Sequence, residues 1–326
     1  MVDMHSEGIL RLFAGELRKI FEKTRLEEKD LQEIRLRAGR PLLVIDSGRE
    51  MFLDKMGRVW SSSKQGYRVS VEEVRETLER ASNYSLYAYE AEVCRGFLTV
   101  QGGYRVGVSG RVICEEGRIT GMRDIAYMDI RIAHQIKDCA AIVLPYMYED
   151  GMLKNTLIMA PPGKGKTTIL RDMVRLVSDG NPKARGQSVA VVDERSEIAG
   201  CSQGVAGYDL GIRTDVLDGC LKTEGIFLVV RSMAPEVIAV DEIAGQKDQE
   251  ALRMAAFCGC RILATAHGRV YEDLLRRQDI RPLWEEGVFE RCVLLEDQGM
   301  PGIVKSVFDQ KKGCIYSRSG RACLFV

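Results

Sequence analysis

Apolar and polar positions in the first third of the chain follow two different periods. Residues 7–22 carry apolar side chains at helical spacing, which predicts an amphipathic helix. Residues 33–46 contain two apolar runs broken by a Gly-Arg-Pro turn, which predicts two strands. Ser70 followed by Glu73 forms a capping box, so a helix is expected from there to about Ala81. The N-terminal part is therefore predicted to be mixed α/β.

The pattern changes in the middle of the chain. Residues 96–133 show short β-rich runs punctuated by glycines, which predicts a strand meander. Residues 137–153 are predicted to form a helix. A soft boundary at 133–140 separates two predicted domains, a smaller N-terminal α/β domain over 1–135 and a second domain over 136–326.

Beyond that boundary, apolar strands alternate with helical segments. Strands are predicted at residues 155–159, 188–193, 237–241 and 261–266. Helices are predicted at residues 166–178, 218–232 and 247–257. This alternation is typical of a mostly parallel sheet with helices packed on it.

The composition restricts the class of protein but does not indicate a function. The chain has 326 residues, 45% of them hydrophobic and 29% charged, as in ordinary globular domains. Lys and Arg balance Asp and Glu at 47 each, so bulk charge favours no polyanionic partner. The longest apolar runs are too short for an integral membrane segment, and the N-terminus lacks the basic region of a signal peptide, so a cytosolic protein is expected. Ten cysteines without a CxxC pair favour buried thiols over a metal site.

Residues 159–170, MAPPGKGKTTIL, nearly match a phosphate-binding loop. The usual spacing is a glycine, four residues and then Gly-Lys-Ser/Thr. Gly165, Lys166 and Thr167 fit this spacing, but Ala160 stands where the first glycine is expected. An apolar strand leads into the loop and a helix with one apolar face follows it, as phosphate binding at a helix N-terminus requires. The context therefore predicts a working nucleotide site.

The departures from the loop pattern are compatible with phosphate binding. Pro161 and Pro162 have no N–H, so the backbone donors must come from Gly163 through Thr168. Ala160 precedes a proline and is confined to extended backbone, where a Cβ costs little. The predicted nucleotide contacts are Pro162, Gly163, Lys164, Gly165, Lys166, Thr167 and Thr168.

Individual roles follow from the chemistry of such loops. Lys166 is predicted to contact the β- and γ-phosphates, and the Thr167 hydroxyl to bind Mg²⁺. Lys164 at the apex has no assigned role and is typical of a solvated lysine. A later apolar strand ends in Asp241 and Glu242, at the edge where parallel sheets form their sites. Asp241 is predicted to bind Mg²⁺ and Glu242 to polarise the attacking water, the alternative being a surface acidic pair.

Two further strands end in polar side chains that could approach the same nucleotide. The strand at 188–193 ends in Asp193, Glu194 and Arg195, which are candidates for approaching the nucleotide, and a charged strand exit is the alternative interpretation. The strand at 261–266 leads into His267, which is either a sensor of the γ-phosphate or a structural histidine.

The order of phosphate loop, acidic strand ends and strand-terminal histidine resembles that of the secretion and type IV pilus ATPases. More closely, the chain resembles the stage III sporulation protein AA family of endospore-forming bacteria. This resemblance spans about residues 30–270 and rests on five blocks. The blocks are EIRLRAGRPL, SLYAYEAEVCRGFLTVQGGYRVGVSGRV, VVDERSEIAG, RSMAPEVIAVDEIAG and ATAHG.

The resemblance implies a RecA-like P-loop ATPase domain that uses ATP and Mg²⁺, preceded by a smaller α/β domain. It further implies a homo-hexameric motor in the mother-cell cytoplasm, peripheral to the septal membrane. Such a motor would power or assemble a channel of membrane proteins in the sporulation septum. VVDERSEIAG, which contains Glu194, matches the aspartate box of the family, VIAVDE its Walker B strand and TAHG its histidine box. The zinc-binding cysteine cluster of many secretion ATPases has no counterpart in this sequence.

The same resemblance implies a contribution from the N-terminal domain. In secretion ATPases, arginines of that domain reach the nucleotide and complete the site. The matching positions here are Arg105 and Arg111, with Arg123 and Arg131 behind them. For each of these residues, a solvated strand arginine is the alternative.

Two other functions share the predicted core. A RecA-like nucleic-acid motor would need a basic path with interspersed aromatic residues, and only residues 311–321 approach that composition. This stretch is more typical of a solvated tail or a docking strip, so no nucleic-acid partner is expected. The other alternative is a nucleotide-binding assembly switch with little hydrolysis, and Glu242 weighs against it.

Overall fold

The computed structural model describes residues 8–85, 89–94, 96–115, 117–132 and 134–319, without the side chains of Ala91 and Arg118. The chain forms two compact units. One comprises Met1–His134 with Gly200–Gly207, and the other comprises Gln135–Ala199 with Tyr208–Val326. The excursion of residues 200–207 makes the first unit discontinuous in sequence.

The first unit is built on one antiparallel sheet. Its strands are β1 (Leu31–Arg37), β2 (Leu43–Asp46), β3 (Arg49–Leu53), β4 (Val59–Trp60), β5 (Phe97–Val100), β6 (Tyr104–Glu115) and β7 (Arg118–Arg131). Its helices are a 3₁₀ turn (Ile9–Leu12), α1 (Gly15–Lys23), α2 (Val71–Ala81) and α3 (Glu90–Cys94). The strand order is β4-β3-β2-β1-β7-β6-β5. The predicted strands within 33–46 and the meander over 96–133 are confirmed as β1 and β2 and as β5 to β7.

Alternation along the strands of the first unit directs one face to its core. Ile34 and Leu36 on β1 are fully buried, as is Val106 on β6. The capping box predicted for α2 is confirmed. The Ser70 hydroxyl accepts a hydrogen bond from the Glu73 amide at 3.1 Å, and the Ser70 amide donates to the Glu73 carboxylate at 2.8 Å.

The prediction of a single helix over residues 7–22 is wrong, and residue 7 itself lies outside the described chain. The 3₁₀ turn and α1 are separate elements, and Gly15 at the start of α1 has φ +50°. That left-handed conformation interrupts a continuous helical path. Between the two elements, Phe13 turns inward and stacks on Phe21 with ring centroids 4.5 Å apart.

The second unit is built on a larger sheet that is parallel at its centre. The strands of this unit are β8 (Tyr148–Glu149), β9 (Met152–Leu153), β10 (Thr156–Met159), β11 (Gly180–Asn181), β12 (Ala184–Arg185), β13 (Val189–Asp193), β14 (Thr214–Asp218), β15 (Val237–Glu242), β16 (Arg261–Ala266), β17 (Arg291–Leu295), β18 (Val304–Asp309) and β19 (Gly313–Ser317). Of these, β8 pairs with β9 and β11 with β12 in separate two-stranded sheets. The helices of this unit are α4 (Leu144–Met147), α5 (Lys166–Asp179), α6 (Lys222–Met233), α7 (Gln246–Phe257), α8 (Tyr271–Arg276) and α9 (Arg281–Glu285).

The strand order of the large sheet is β14-β13-β15-β16-β10-β17-β18-β19. From β14 to β17 all neighbours are parallel, whereas β18 and β19 add antiparallel strands at one edge. The predicted strands at β10, β13, β15 and β16 are confirmed, as are the helices at α5 and α7. The chain order of the strands reverses at β10, so ligand sites are expected at its carboxyl end.

The helix predicted over residues 137–153 is wrong. Only α4 is helical there, and β8 and β9 form a short hairpin after it. The carboxylate of Asp172 on α5 accepts hydrogen bonds from the amides of Asp138 at 3.1 Å and Ala140 at 2.8 Å. Asp138 and Asp150 have φ values of +62° and +51°, and these left-handed conformations interrupt a helix near both ends of the segment.

Sequence periodicity also missed strands at both ends of the large sheet. The helix predicted from residue 218 begins at Lys222, because residues 214–218 form β14. The interpretation of 311–321 as a solvated tail is wrong for residues 313–317, which pair as β19 with β18. Tyr316 packs there against Tyr146 with ring centroids 5.2 Å apart. Residues 320 and 321 lie outside the described chain.

Among the helices of the described residues, none combines the length and apolar character that crossing a bilayer requires.

Candidate functional site

The loop between β10 and α5 has the backbone of an anion-binding loop. Gly163 and Gly165 have φ values of +71° and +85°, a region that side chains with a Cβ rarely adopt. Gly165 is the N-cap of α5, and Lys166 is its first residue. The first amides of a helix have no partner within the helix, and the helix dipole favours an anion in front of them. This loop therefore presents free N–H groups and a positive helix end to the same space.

The alanine in place of the first glycine causes no backbone strain. Ala160 is fully buried and is not among the described residues with positive φ. Its amide donates to the Ala266 carbonyl at 3.3 Å, and its carbonyl accepts the Gly268 amide at 3.4 Å. Ala160 thus continues the pairing of β10 with β16, where an alanine is as suitable as a glycine.

A turn from late in the chain supports the loop. The Gly302 amide, between β17 and β18, donates to the Lys164 carbonyl at 3.0 Å. A Cβ on Gly165 would lie 2.6 Å from the Gly302 nitrogen, so this close approach also requires glycine at 165. Lys164 is half-buried, and its backbone holds this contact. This backbone contact leaves the expectation of a solvated Lys164 side chain untested.

Lys166, His267 and Glu242 form a continuous hydrogen-bonded chain. The Lys166 ammonium donates to His267 Nδ1 at 2.9 Å and to the Ala160 and Pro161 carbonyls at 3.1 and 3.3 Å. Because an ammonium can only donate, Nδ1 accepts and the proton of the neutral ring is on Nε2. That nitrogen lies 2.8 Å from a carboxylate oxygen of Glu242. Burial lowers the pKa of Lys166, and the Glu242 and Asp241 carboxylates act in the opposite direction.

Asp241 and Glu242 are adjacent residues that both line the site. The register of β15 against β16 shifts between Val240 and Glu242, which leaves Asp241 as an extra residue. Bulges of this kind re-aim side chains that would otherwise point to opposite faces. The Asp241 carboxylate accepts a hydrogen bond from the Thr265 hydroxyl at 3.1 Å, which fixes its orientation.

Two neighbouring carboxylates at the end of β13 differ in their surroundings: one is structural and the other is accessible. Asp193 is fully buried and accepts hydrogen bonds from the Glu197, Ile198 and Ala199 amides at 2.8 to 2.9 Å. Burial raises the pKa of Asp193 to about 6, although these backbone donors oppose the shift. Asp193 is therefore occupied in holding the loop that follows it, and Glu194 is the carboxylate that faces the cavity.

One cavity of about 1100 Å³ brings most of the predicted residues together. The predicted residues on its wall are Pro162, Gly163, Gly165, Lys166, Thr167, Thr168, Glu194, Asp241, Glu242 and His267. Lys164 contributes to the loop through its backbone. The volume is that of a site for a ligand of nucleotide size.

Three polar residues that sequence reasoning missed complete the surroundings. Lys222 and Asp248 lie on the cavity wall and are buried. Arg277 donates to the His267 carbonyl at 2.6 Å and so fixes the backbone of that residue. No sequence signal marked Lys222, because the helix predicted from residue 218 places it beyond the first turn, whereas in the structure it is the first residue of α6.

The arginines expected to complete the site lie in the first unit. Arg105 on β6 stacks its guanidinium on the Phe97 ring at 3.8 Å. Arg111 lies 3.7 Å from the Asp124 carboxylate, with both side chains largely exposed. Arg123 and Arg131 lie opposite Arg111 and Arg105 on β7. Their contact with a nucleotide stays a prediction.

The donors at the cavity fit a nucleotide with Mg²⁺. The glycine loop and the α5 N-terminus offer amides to phosphate oxygens, and Lys166 offers a cation. The Thr167 hydroxyl and the Asp241 carboxylate are oxygen ligands of the kind that Mg²⁺ prefers. In the described part of the chain, no cluster of three or more His, Cys, Asp or Glu side chains is arranged to hold a metal ion. A phosphate-bound Mg²⁺ needs only one or two protein carboxylates, so this finding is compatible with the fit.

Comparison with known proteins gives the family. Residues 3–315 match the family described as Sporulation stage III, protein AA. The chain belongs to that family. Stage III sporulation protein AA of Bacillus subtilis (strain 168) is 42% identical over 290 residues, which cover 89% of this chain and 90% of that protein. The resemblance derived from the sequence blocks is confirmed.

Solved structures give the fold of this member of the stage III sporulation protein AA family. The Yersinia pseudotuberculosis ATPase DotB superposes with a TM-score of 0.58 at 12% identity, covering 92% of this chain and 81% of that one. The pilus retraction motor PilT, solved with bound ADP, superposes with a TM-score of 0.54 at 14% identity, covering 88% and 77%. The predicted fold class, a RecA-like P-loop domain with a smaller α/β domain, is confirmed.

Proposed function

We propose that this protein binds ATP with Mg²⁺ in the cavity at the α5 N-terminus and hydrolyses it to ADP and phosphate. The observation that carries the proposal is the hydrogen-bonded chain from Lys166 through His267 to Glu242 in front of the phosphate loop. The shared fold with proteins described as an ATPase and a retraction motor supports it.

Each side chain has a role in this reaction. The Gly163 to Thr168 amides hold the phosphates, and the Lys166 ammonium moves from His267 to the β- and γ-phosphate oxygens. Thr167 and Asp241 hold Mg²⁺, which neutralises charge on the phosphates. Glu242 orients the water whose oxygen attacks the γ-phosphorus as the bond to the ADP oxygen breaks.

His267 and Glu194 act beside this centre. The Nε2–H of His267 donates to Glu242, which fixes the carboxylate and senses whether Lys166 has left. Glu194 lies on the same wall and supplies a second carboxylate near the attacking water. These roles rest on geometry within the second unit alone.

Family membership supports a proposal for the cellular role. We propose that a homo-hexamer at the mother-cell face of the sporulation septum energises or assembles a channel of membrane proteins. In that ring, Arg105 and Arg111 are the candidates for completing the nucleotide site.

Steady-state ATP hydrolysis with and without Mg²⁺ and single-stranded DNA tests the proposal. We expect slow, Mg²⁺-dependent turnover that DNA leaves unchanged. Lys166→Ala should abolish nucleotide binding, because the phosphates lose their cation. Glu242→Gln should retain binding and lose turnover, because the water loses its acceptor.

The alternatives give different results in the same assay. Strong stimulation by DNA would favour a nucleic-acid motor. Tight binding of ATP without turnover by the assembled wild type would favour a nucleotide-dependent assembly switch. Turnover that survives Lys166→Ala would contradict the assignment of this cavity.

A further inference from the structure

Lys222 is a buried cation on the wall of the candidate site. It is the first residue of α6 and only 6% exposed. Burying an ammonium is costly unless nearby acceptors compensate it. Its position in the first turn adds to that cost, because the helix dipole repels a positive charge there. The acceptors around Lys222 therefore decide what the residue does.

Three acceptors surround the Lys222 ammonium. It donates a short hydrogen bond to the backbone carbonyl of Glu242. It also lies 3.5 Å from a carboxylate oxygen of Asp248 and 3.7 Å from one of Glu194. The three acceptors belong to the end of β15, the start of α7 and the exit of β13. One side chain thus joins three separate segments.

These partners distinguish Lys222 from a buried cation that serves only the core. Arg291, for example, pairs with Asp309 and donates to the Tyr146 carbonyl, none of which lines the cavity. All three partners of Lys222 line it. Asp248 is itself held by the Ala244 amide at 2.9 Å, so the ammonium is anchored on the α7 side.

We propose that Lys222 is a positioning residue for hydrolysis, which fixes the backbone of Glu242 and the side chain of Glu194. The inference rests on the proposed function and deepens it. The Lys222 ammonium bonds to the backbone carbonyl of Glu242, the residue whose carboxylate orients the water. Lys222 therefore controls where that carboxylate lies without contacting the nucleotide. It should therefore act on the turnover rate and leave ATP binding unchanged.

Three variants separate this role from a general structural one. Lys222→Met removes the ammonium, Lys222→Arg restores a buried cation with several donors, and Lys183→Met removes a lysine from an exposed turn as the matched control. We expect Lys222→Met to lower kcat by about one to two orders of magnitude, because small misplacements of a catalytic group have that cost. The Kd for ATP, measured by displacement of a fluorescent ATP analogue, should stay as in the wild type. Lys222→Arg should recover part of kcat.

Hydrogen–deuterium exchange of residues 241–248 gives a readout independent of turnover. The exchange rate should rise in Lys222→Met, because loss of the ammonium frees the Glu242 carbonyl and the start of α7. The rate should stay unchanged in Lys183→Met. Unchanged exchange, or kcat equal to that of Lys183→Met, would overturn the positioning role. Equal loss of ATP binding and turnover would also overturn it. A wild type that binds ATP without turnover would overturn the proposed function and, with it, a role in hydrolysis, whereas the exchange measurement would still decide whether Lys222 fixes the backbone of Glu242.

Discussion

At the scale of single residues, two neighbouring carboxylates at the end of β13 have opposite environments. Asp193 is enclosed and accepts three backbone amides, whereas Glu194 borders the cavity. The sequence marked both as candidates, because a strand followed by Asp-Glu gives no indication of which side chain turns inward. The decisive information is the path of residues 197–199 around Asp193, which depends on the fold.

Asp193 should give the unfolding free energy of the second unit a specific pH dependence. Its pKa is raised to about 6 from an ordinary value of 3.8, so the native state keeps a proton that the unfolded chain has lost. The contribution of Asp193 is therefore lost as pH rises from about 4 through about 6, by on the order of 3 kcal/mol. The two carboxylates that act on it from neighbouring strands are Asp218 and Asp241.

Urea unfolding at acidic and neutral pH checks this prediction. In a Trp60→Phe background, Trp284 is the remaining tryptophan and reports the second unit alone. Asp193→Asn stays neutral, so it should lose less stability than its parent between the two pH values, whatever its absolute stability. Parallel pH dependences in the two proteins would contradict the raised pKa.

At the scale of elements, local signals predicted the loop and several helices, and tertiary contacts decided the rest. The phosphate loop, α5 and α2 were predictable because glycines, a capping box and a uniform apolar face are encoded within a few residues. Residues 137–153 were mispredicted because Asp138 and Asp150 adopt left-handed backbone conformations, which apolar periodicity does not reveal. Lys222 was missed because its three partners come from segments far apart in sequence.

The cap of α2 gives a quantitative test at this scale. Ser70→Ala removes the acceptor for the Glu73 amide and should destabilise α2 by about 1 kcal/mol. Native-state exchange of the amides of residues 71–81 should then accelerate about fivefold. Ser61→Ala, at an exposed position outside any helix, is the control. Equal exchange in both variants would mean that the cap contributes little.

At the scale of the whole molecule, the proposed function includes an assembly that can be tested. A chain with balanced charge has little net repulsion to oppose self-association near neutral pH. If bound ATP completes an interface between copies through Arg105 and Arg111, a variant that keeps ATP bound without hydrolysing it should favour the hexameric ring. The homo-hexamer that the family resemblance implies is therefore expected to accumulate when hydrolysis is blocked.

Mass measurement in solution tests that assembly. Glu242→Gln with ATP and Mg²⁺ should run at six times the mass of the chain, whereas Lys166→Ala should remain smaller. Adding Arg105→Ala and Arg111→Ala to Glu242→Gln should weaken the ring, because the phosphates lose their cations from the neighbouring copy. A monomer under all conditions would contradict a ring formed by this chain alone.

The contact between Lys166 and His267 has a consequence for the order of events in a turnover cycle. Before any phosphate arrives, the imidazole and two carbonyls already satisfy the ammonium that the phosphate needs. In the proposed reaction, nucleotide therefore enters by exchange and displaces the imidazole, and the imidazole competes for the same lysine as product leaves. We therefore expect the residence time of ADP to depend partly on residue 267 at the end of β16, even while the phosphate loop stays intact.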